Sequence, residues 1–223
     1  MTRVLLGSAS PARRGVLRAA GIDPLVLVSD LDEDALIAGL AGHAPEAVVT
    51  ELAKAKGVAI VAQVLASADP DIAAVADDGV ILTCDSMLLI DGELTGKPKT
   101  PEIARERWRR MRGTTGRLLT GHCVTRMTGG TVARAASGTR STRVHFSDVS
   151  DQTIDAYVAT GEPLQVAGAF TLDGLGGWLL DGIDGDPSSV IGISLPLTRD
   201  LLADVGVDVT SLWQPEASET PRS

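Results

Sequence analysis

Small hydroxyl residues and arginines crowd the start of the chain as Ser8-Ala9-Ser10-Pro11-Ala12-Arg13-Arg14, directly after the apolar run Val4-Leu5-Leu6. A strand passing into a helix here leaves the first backbone N–H groups of the helix unpaired, and such groups beside hydroxyls form a natural anion pocket. Arg13 and Arg14 sharpen that reading, because cations in a first helical turn oppose the positive end of the macrodipole unless an anion offsets them. A bound phosphate would do so. A capped helix carrying two solvated arginines fits this segment, taken alone, equally well.

Asp85 poses a different problem, because it lies inside the apolar segment Ile81-Leu82-Thr83-Cys84-Asp85-Ser86-Met87-Leu88-Leu89-Ile90. A carboxylate buried without a partner is costly or takes up a proton, so it must be paired, metal-bound or exposed at a cleft. Asp91-Gly92 signals a two-residue hairpin, and closure there sets Ser86 opposite Lys97 and Asp85 opposite Pro98, at one end of the ribbon. Outside this pattern Asp85 would pass for an ordinary strand-end aspartate. Asp32 and Glu33 follow a second predicted strand, and Lys54 and Lys56 lie on a long predicted helix. Carboxylates with lysines and an arginine are the set that holds a hard divalent cation and a polyphosphate together. For Lys54 a solvated helix face is the simpler reading, and for Cys84 a small buried hydrophobe. The glycine-rich stretches Gly174-Leu175-Gly176-Gly177 and Gly185-Asp186-Pro187-Ser188-Ser189 would let backbone approach a ligand, but they also serve to connect strands. A Walker loop, a dinucleotide fingerprint, an H-E-x-x-H pair and a G-x-S-x-G elbow are all missing.

The elements that would position these residues follow from patterning. Strands are expected at Val4–Leu6, Pro24–Val28, Ile81–Ile90, Glu93–Lys97, 117–127, 131–147 (interrupted near Gly138) and Trp178–Ile183. Helices are expected at Pro11–Ala20, Pro45–Ala66, Thr100–Met111, Asp151–Ala159 and Pro196–Val205, with Ser67–Gly79 as a connection. Alternating helices and strands with several hairpins predict an α/β fold on a mixed sheet. The 223 residues, 44% of them hydrophobic and 22% charged, suit one large domain or two intimate lobes at residues 1–213, followed by a loose tail at 214–223. A net charge of −9 excludes general duplex binding and 3% aromatic residues exclude a base-stacking platform, so no stable nucleic-acid partner is expected. No membrane span or leader can be read, and two widely separated cysteines fit a reducing cytoplasm.

In order along the chain, these features resemble the Maf family of nucleoside triphosphate pyrophosphatases, first named as septum formation inhibitors. Four blocks between about Arg3 and Leu202 carry the resemblance: Leu6-Gly7-Ser8-Ala9-Ser10-Pro11-Ala12-Arg13; Leu52-Ala53-Lys54-Ala55-Lys56; Cys84-Asp85-Ser86 with Gly96-Lys97-Pro98; and Tyr157–Gly161, Glu162-Pro163-Leu164, Ala167-Gly168 and Gly185-Asp186 through Leu197. The resemblance implies a Maf/inosine-triphosphatase-like mixed α/β fold with two lobes around a deep cleft, often as a homodimer. It also implies hydrolysis of a nucleoside triphosphate to the monophosphate and pyrophosphate with Mg2+ or Mn2+. Asp85 falls on the family's proposed proton acceptor, and Ser8, Arg13, Glu33, Lys56 and Lys97 on other polar positions of its cleft. Metal binding through Asp85 and Glu33 belongs to the same expectation.

Three departures from the family pattern bear on base choice. Ala12 replaces an arginine, Ser86 a threonine, and Asp173 the glutamine of an I-Q-G motif; the usual E-P-x-D-K-A-G also reads Glu162-Pro163-Leu164-Gln165-Val166-Ala167-Gly168. An acidic Asp173 would accept hydrogen bonds from a guanine-type edge or favour a cationic methylated base, resembling the subgroup that acts on 7-methyl-GTP. Two rival readings are a nucleotide-binding regulator of cell division and septum formation, without essential hydrolysis, and a metal-dependent phosphatase releasing orthophosphate. A base retained beside the phosphate clamp favours the enzyme.

Overall fold

Strand β1 (Arg3–Gly7) runs into helix α1 (Pro11–Ala19), whose cap is Ser10: its hydroxyl accepts the Arg13 N–H at 3.4 Å, and Pro11 needs no partner at the first helical position. The remaining elements are β2 (Leu25–Leu27), α2 (Glu33–Gly39), α3 (Pro45–Leu65), α4 (Pro70–Asp77), β3 (Asp78–Ile90), β4 (Glu93–Thr95), α5 (Pro101–Met111), β5 (Thr115–Thr128), β6 (Thr131–Phe146), α6 (Asp151–Ala159), β7 (Leu180–Asp184), α7 (Pro187–Ile191) and α8 (Leu195–Asp204). The computed structural model describes residues 2–214. The expected loose tail therefore lies, apart from Gln214, outside the described residues; the Gln214 N–H donates to Gly21 O at 2.7 Å.

One mixed sheet of seven strands carries both lobes, in the order β2-β1-β3-β5-β6-β7, with β4 on the β1 side of β3. β1 is parallel to β2 and β3, and every other pairing is antiparallel. One lobe packs α1 and α8 on one sheet face, with Leu6, Leu17, Leu82, Val124 and Leu202 in its core. On the other face α3 and α4 bury Leu5, Ile60, Val75 and Ile81. The second lobe centres on Trp108, whose ring stands edge-on to Phe146 and Tyr157 at 5.7 and 5.6 Å.

Beside β3 the sheet has a gap. β5 pairs with β3 from Asp78 to Leu89, but on the opposite edge β1 covers only Gly79–Leu82 and β4 only Leu88–Ile90. Residues 83–87, Asp85 among them, are left with an open edge. β1 ends here at Gly7 and turns into α1, and ligand sites of α/β sheets commonly lie beyond the carboxyl ends of parallel strands. The Asp91-Gly92 turn has positive φ at both residues, 50° and 78°, as a tight hairpin with twisted strands demands. Its register, Leu88 opposite Thr95, agrees with the expected pairing, yet the ladder ends at Thr95 and never reaches Lys97.

Other departures are local. The expected connection at Ser67–Gly79 contains α4, where Asp69 accepts the Asp71 N–H at 2.9 Å ahead of Pro70; an Ala/Asp-rich composition hides this ordinary cap. The acidic run after β2 similarly starts α2, capped by Asp32. β6 continues through Gly138, paired with His122, and the irregularity lies instead between Arg126 and Met127. The strand expected from Trp178 begins at Leu180, after a 3-10 turn over Leu175–Leu179. Among the described residues no single helix is long and apolar enough to cross a membrane.

Helix α3 presses onto the sheet where β5 presents Gly121, the cross-strand partner of Asp85. A Cβ at Gly121 would stand 2.1 Å from Val49 O and 2.7 Å from Thr50 N, both backbone atoms that cannot swing aside. This contact sets the height of α3 above β3 and hence the reach of its side chains. Gly121→Ala is expected to cost about 3 kcal/mol, the upper part of the overpacking range, measured as a lower denaturant midpoint at unchanged slope.

Candidate active site

A cavity of about 470 Å³ opens at the gap beside β3 and lies between the two lobes. Its lining includes Ser8, Ala12 and Arg13 from the β1–α1 turn, Glu33 from α2, Lys56 from α3, and Asp85 and Ser86 from β3. Lys97 follows β4, and Asp173 comes from the glycine-rich segment. Every position singled out in the sequence for substrate, metal or base recognition therefore faces one hollow.

Between Val80 and Ser86 the odd residues of β3 face α3 and the even ones face α1, so adjacent residues contribute to opposite sides of the open edge. Asp85 points toward α3, where Lys56 Nζ meets its Oδ1 at 2.5 Å. Both residues are only 8% exposed, so the contact is a buried pair rather than a surface ion pair. Glu33 adds a second carboxylate at 3.1 Å from the same ammonium, and it is half-exposed. Its helix is set by Asp32, which accepts the Ala35 N–H at 3.0 Å. The acidic run is thus a cap followed by lysine partners, since Asp34 meets Lys99 at 3.4 Å.

On the even side Arg13 is fixed by four hydrogen bonds: Nε to Gly192 O at 2.8 Å, Nη1 to Cys84 O at 2.9 Å and Ser8 Oγ at 3.1 Å, and Nη2 to Ser86 Oγ at 3.1 Å. All four acceptors are neutral, so the guanidinium charge stays uncompensated at the cavity wall. The Cys84 carbonyl is one of the edge groups that β1 leaves unpaired, and Arg13 satisfies it. Arg14 turns away toward Asp23 at 3.6 Å, so one arginine rather than two serves the pocket. Lys54 pairs with Glu51 on the exposed helix surface. Lys97 is exposed on the cavity rim and makes no ion pair with any described residue.

Hydrogen-bond directions follow from these partners. Thr120 Oγ1 donates to Ser189 O at 3.1 Å, so in its 3.0 Å contact with Ser86 it accepts, and Ser86 is the donor. Ser8 Oγ accepts from both the Ser10 N–H and Arg13. Its own proton remains free for an anion. Cys84 packs into the α1-side core, where burial pushes its thiol up to about 11 against the opposing pull of Arg13 and Lys56. A thiol so placed is inert at neutral pH.

Two residues of structural consequence escaped the sequence reading. His122, which belongs to no motif, donates Nδ1–H to Thr120 O at 2.9 Å and accepts the Ser194 N–H on Nε2 at 2.8 Å. It thereby fixes the 192–194 turn whose Gly192 carbonyl grips Arg13. Glu162, noted only as part of a motif, gathers donors from the glycine-rich segment. Neither arrangement leaves a local sequence signal: Ser194 lies 72 positions from His122, and the amides that Glu162 accepts lie 13 and 14 positions on, across a turn no motif predicts.

The family model for Maf-like proteins matches residues 3–205. A protein of Nocardia farcinica, named nucleoside triphosphate pyrophosphatase, is 59% identical over 212 residues, covering 95% of this chain and 96% of its own. Proteins of the same name from Saccharopolyspora erythraea and Rhodococcus opacus are 56% and 59% identical over 214 residues, covering 96% of this chain and 98% and 97% of theirs.

Burial pushes the His122 ring down from its ordinary 6.5 to about 4, only partly offset by its bond to Thr120 O. The folded state then binds fewer protons than the unfolded one below pH 6.5, so its stability is complete above that pH and falls toward pH 4. The full effect is about 3 kcal/mol. Urea unfolding from pH 7 to 4.5 should show this decline, and His122→Gln should flatten it.

Proposed function

The chain belongs to the Maf family, and on that premise we propose that it hydrolyses a nucleoside triphosphate to the monophosphate and pyrophosphate. The observation that carries this reading is the opposition, across one open strand edge, of a buried acid–ammonium pair and an arginine with no acidic partner. Such a hollow suits a polyanion on one side and places a proton acceptor beside it.

In the proposed reaction Asp85 orients the attacking water and takes its proton as oxygen bonds to the α-phosphorus. The bond that breaks joins the α-phosphorus to the bridging oxygen, which leaves with pyrophosphate. Arg13, Lys56, Lys97 and the free Ser8 hydroxyl meet the charge that builds on the leaving group. Such preorganised donors are the largest contribution in phosphoryl transfer. Lys56 has a second task, holding Asp85 in place until substrate arrives.

Asp85 and Glu33 also fit a divalent metal, because their oxygens already converge on a single cationic point, the Lys56 ammonium. Among the described residues no group of three or more acidic, histidine or cysteine side chains forms a metal cage. That donor set suits Mg2+ or Mn2+, which keep several waters and take oxygens from substrate phosphates. When bound, the metal supplies Lewis-acid charge to the phosphoryl oxygens.

The other wall of the cavity, from Gln165 to Asp173, is mainly apolar and suits the base. Asp173 lies on it as an exposed acceptor, and together with Ala12 and Ser86, which line the same cavity, we assign it to base selection, with preference for a guanine-type edge or a cationic methylated base. Two buried free thiols, Cys84 and Cys123, accord with a cytoplasmic enzyme of nucleotide-pool sanitation.

Product analysis with Mg2+ and Mn2+ across common and modified triphosphates tests the reading: pyrophosphate with monophosphate is expected, and orthophosphate release or absence of turnover would overturn it. Asp85→Asn should lower kcat by about 10²–10⁴-fold while nucleotide Kd changes little. A variant retaining most of its turnover would remove Asp85 from the base role.

A further inference from the structure

We propose that Glu162 is a positioning residue: its carboxylate clasps the turn at 171–176 and so sets where Thr171, Leu172 and Asp173 stand on the cavity wall. This inference rests on the reading of that wall as the base-facing side of a nucleotide site.

Four donors converge on the one carboxylate. Oε1 accepts from Tyr157 OH at 3.1 Å, from the Thr171 hydroxyl and from the Gly176 N–H at 3.0 Å, while Oε2 accepts the Leu175 N–H at 3.1 Å. Thr171 closes the loop on itself by accepting the Gly176 N–H at 3.2 Å. Burial by itself would raise the carboxyl's pKa, but the bonds from Thr171, from the Gly176 and Leu175 amides and from Tyr157 outweigh it and hold the group ionised below the ordinary range. The clasp is anchored at its back, since Tyr157 is 5% exposed and packs edge-on against Trp108, whose Nε1–H donates to Ala169 O at 2.7 Å. Both ends of the wall segment are therefore tied to the second lobe's core.

The glycines of this segment acquire a reason. Gly174 has φ −133°, an extended conformation open to any residue, so torsion does not demand glycine there. A Cβ at Gly174 would instead stand 2.8 and 2.9 Å from the two Glu162 oxygens, and one at Gly176 would stand 2.6 Å from Tyr157 OH. Gly174 is small because it wraps a carboxylate, and Gly176 because the Thr171 backbone closes on it as tightly as Tyr157 does.

The test compares wild type, Glu162→Gln and Gly174→Ala. The first variant turns a donor toward the Leu175 N–H; the second leaves the carboxylate intact and displaces it from the loop side. Three quantities are read: kcat and KM for triphosphates differing only in base, Kd for their α,β-methylene analogues, and the inhibition constant of inorganic tripolyphosphate, which reports the phosphate side alone. Both variants are expected to raise KM about tenfold and to compress the span of Kd across bases by a similar factor. The kcat should change less than KM, and tripolyphosphate inhibition should stay within about twofold. Base selectivity unchanged in a folded variant overturns the proposal, as does a tripolyphosphate constant that rises in step with KM, which would signal loss of the whole cleft. Should Glu162→Gln fail to fold, Gly174→Ala decides. Wild type that binds the analogues selectively without turning over triphosphates would overturn the pyrophosphatase reading while leaving the clasp to be judged on Kd. Wild type that binds no nucleotide, or all bases alike, overturns the clasp as a determinant of base choice.

Discussion

The contact between Lys56 Nζ and Asp85 Oδ1 takes two opposite charges out of water at the open edge of β3. Desolvating either charge alone is prohibitive: Asp85 is tolerable because the ammonium is there, and the ammonium because Asp85 and Glu33 both face it. That requirement reaches back into the fold. α3 must lie close enough to β3 for a lysine to touch an aspartate, and the approach is possible because β5 offers no side chain at Gly121. The open edge of β3 supplies the other half of the constraint, since a continuous ladder on that side would fill the space in front of residues 83–87. The sheet divides its work accordingly: along most of β3 it binds strands together, and over five residues it exposes an edge to a cavity.

Charge is distributed unevenly around that cavity, and the unevenness gives it direction. On the α3 side, one ammonium is shared by two carboxylates. On the α1 side, Arg13 faces only carbonyls and hydroxyls, so its charge is available to an incoming anion although its position is rigid. The rigidity is assembled from distant parts of the chain, through the Gly192 carbonyl held by the His122–Ser194 contact and the Ser86–Thr120–Ser189 series. A triphosphate entering such a hollow meets donors already oriented, which is the condition under which electrostatic catalysis costs little reorganisation. The acidic overall charge of the chain is no obstacle, because the positive potential is local.

Much of this was legible in the sequence. Caps and stops fixed the ends of α1, α5 and α6, apolar spacing marked out α3, the Asp91-Gly92 pair fixed the hairpin register, and a carboxylate inside an apolar strand marked Asp85 as needing a partner. The partner itself was not legible from residues alone, because Lys54 and Lys56 are equivalent by composition and only the packing angle of α3 separates the buried lysine from the solvated one. Arg14 misled for the same reason, being adjacent to Arg13 in sequence but on a different helix face. α4 was hidden by an alanine-rich composition that reads as connection, and α2 by an acidic run that reads as a ligand cluster when its first member is a cap. His122 and Glu162 act through backbone groups 72 and up to 14 positions away, and no local pattern encodes such contacts.

We propose that Lys56 and Asp85 operate as one unit. A double-mutant cycle over Lys56→Met, Asp85→Asn and their combination, read in both unfolding free energy and turnover, tests it most directly. Lys56→Met alone should destabilise the protein by about 3–5 kcal/mol by stranding a buried carboxylate. Adding Asp85→Asn should restore most of that loss, and Lys56→Met should lower turnover less in the Asp85→Asn background than in wild type, because only its contact with the leaving group is then lost. Additive losses in stability and in rate would show that the two side chains act independently.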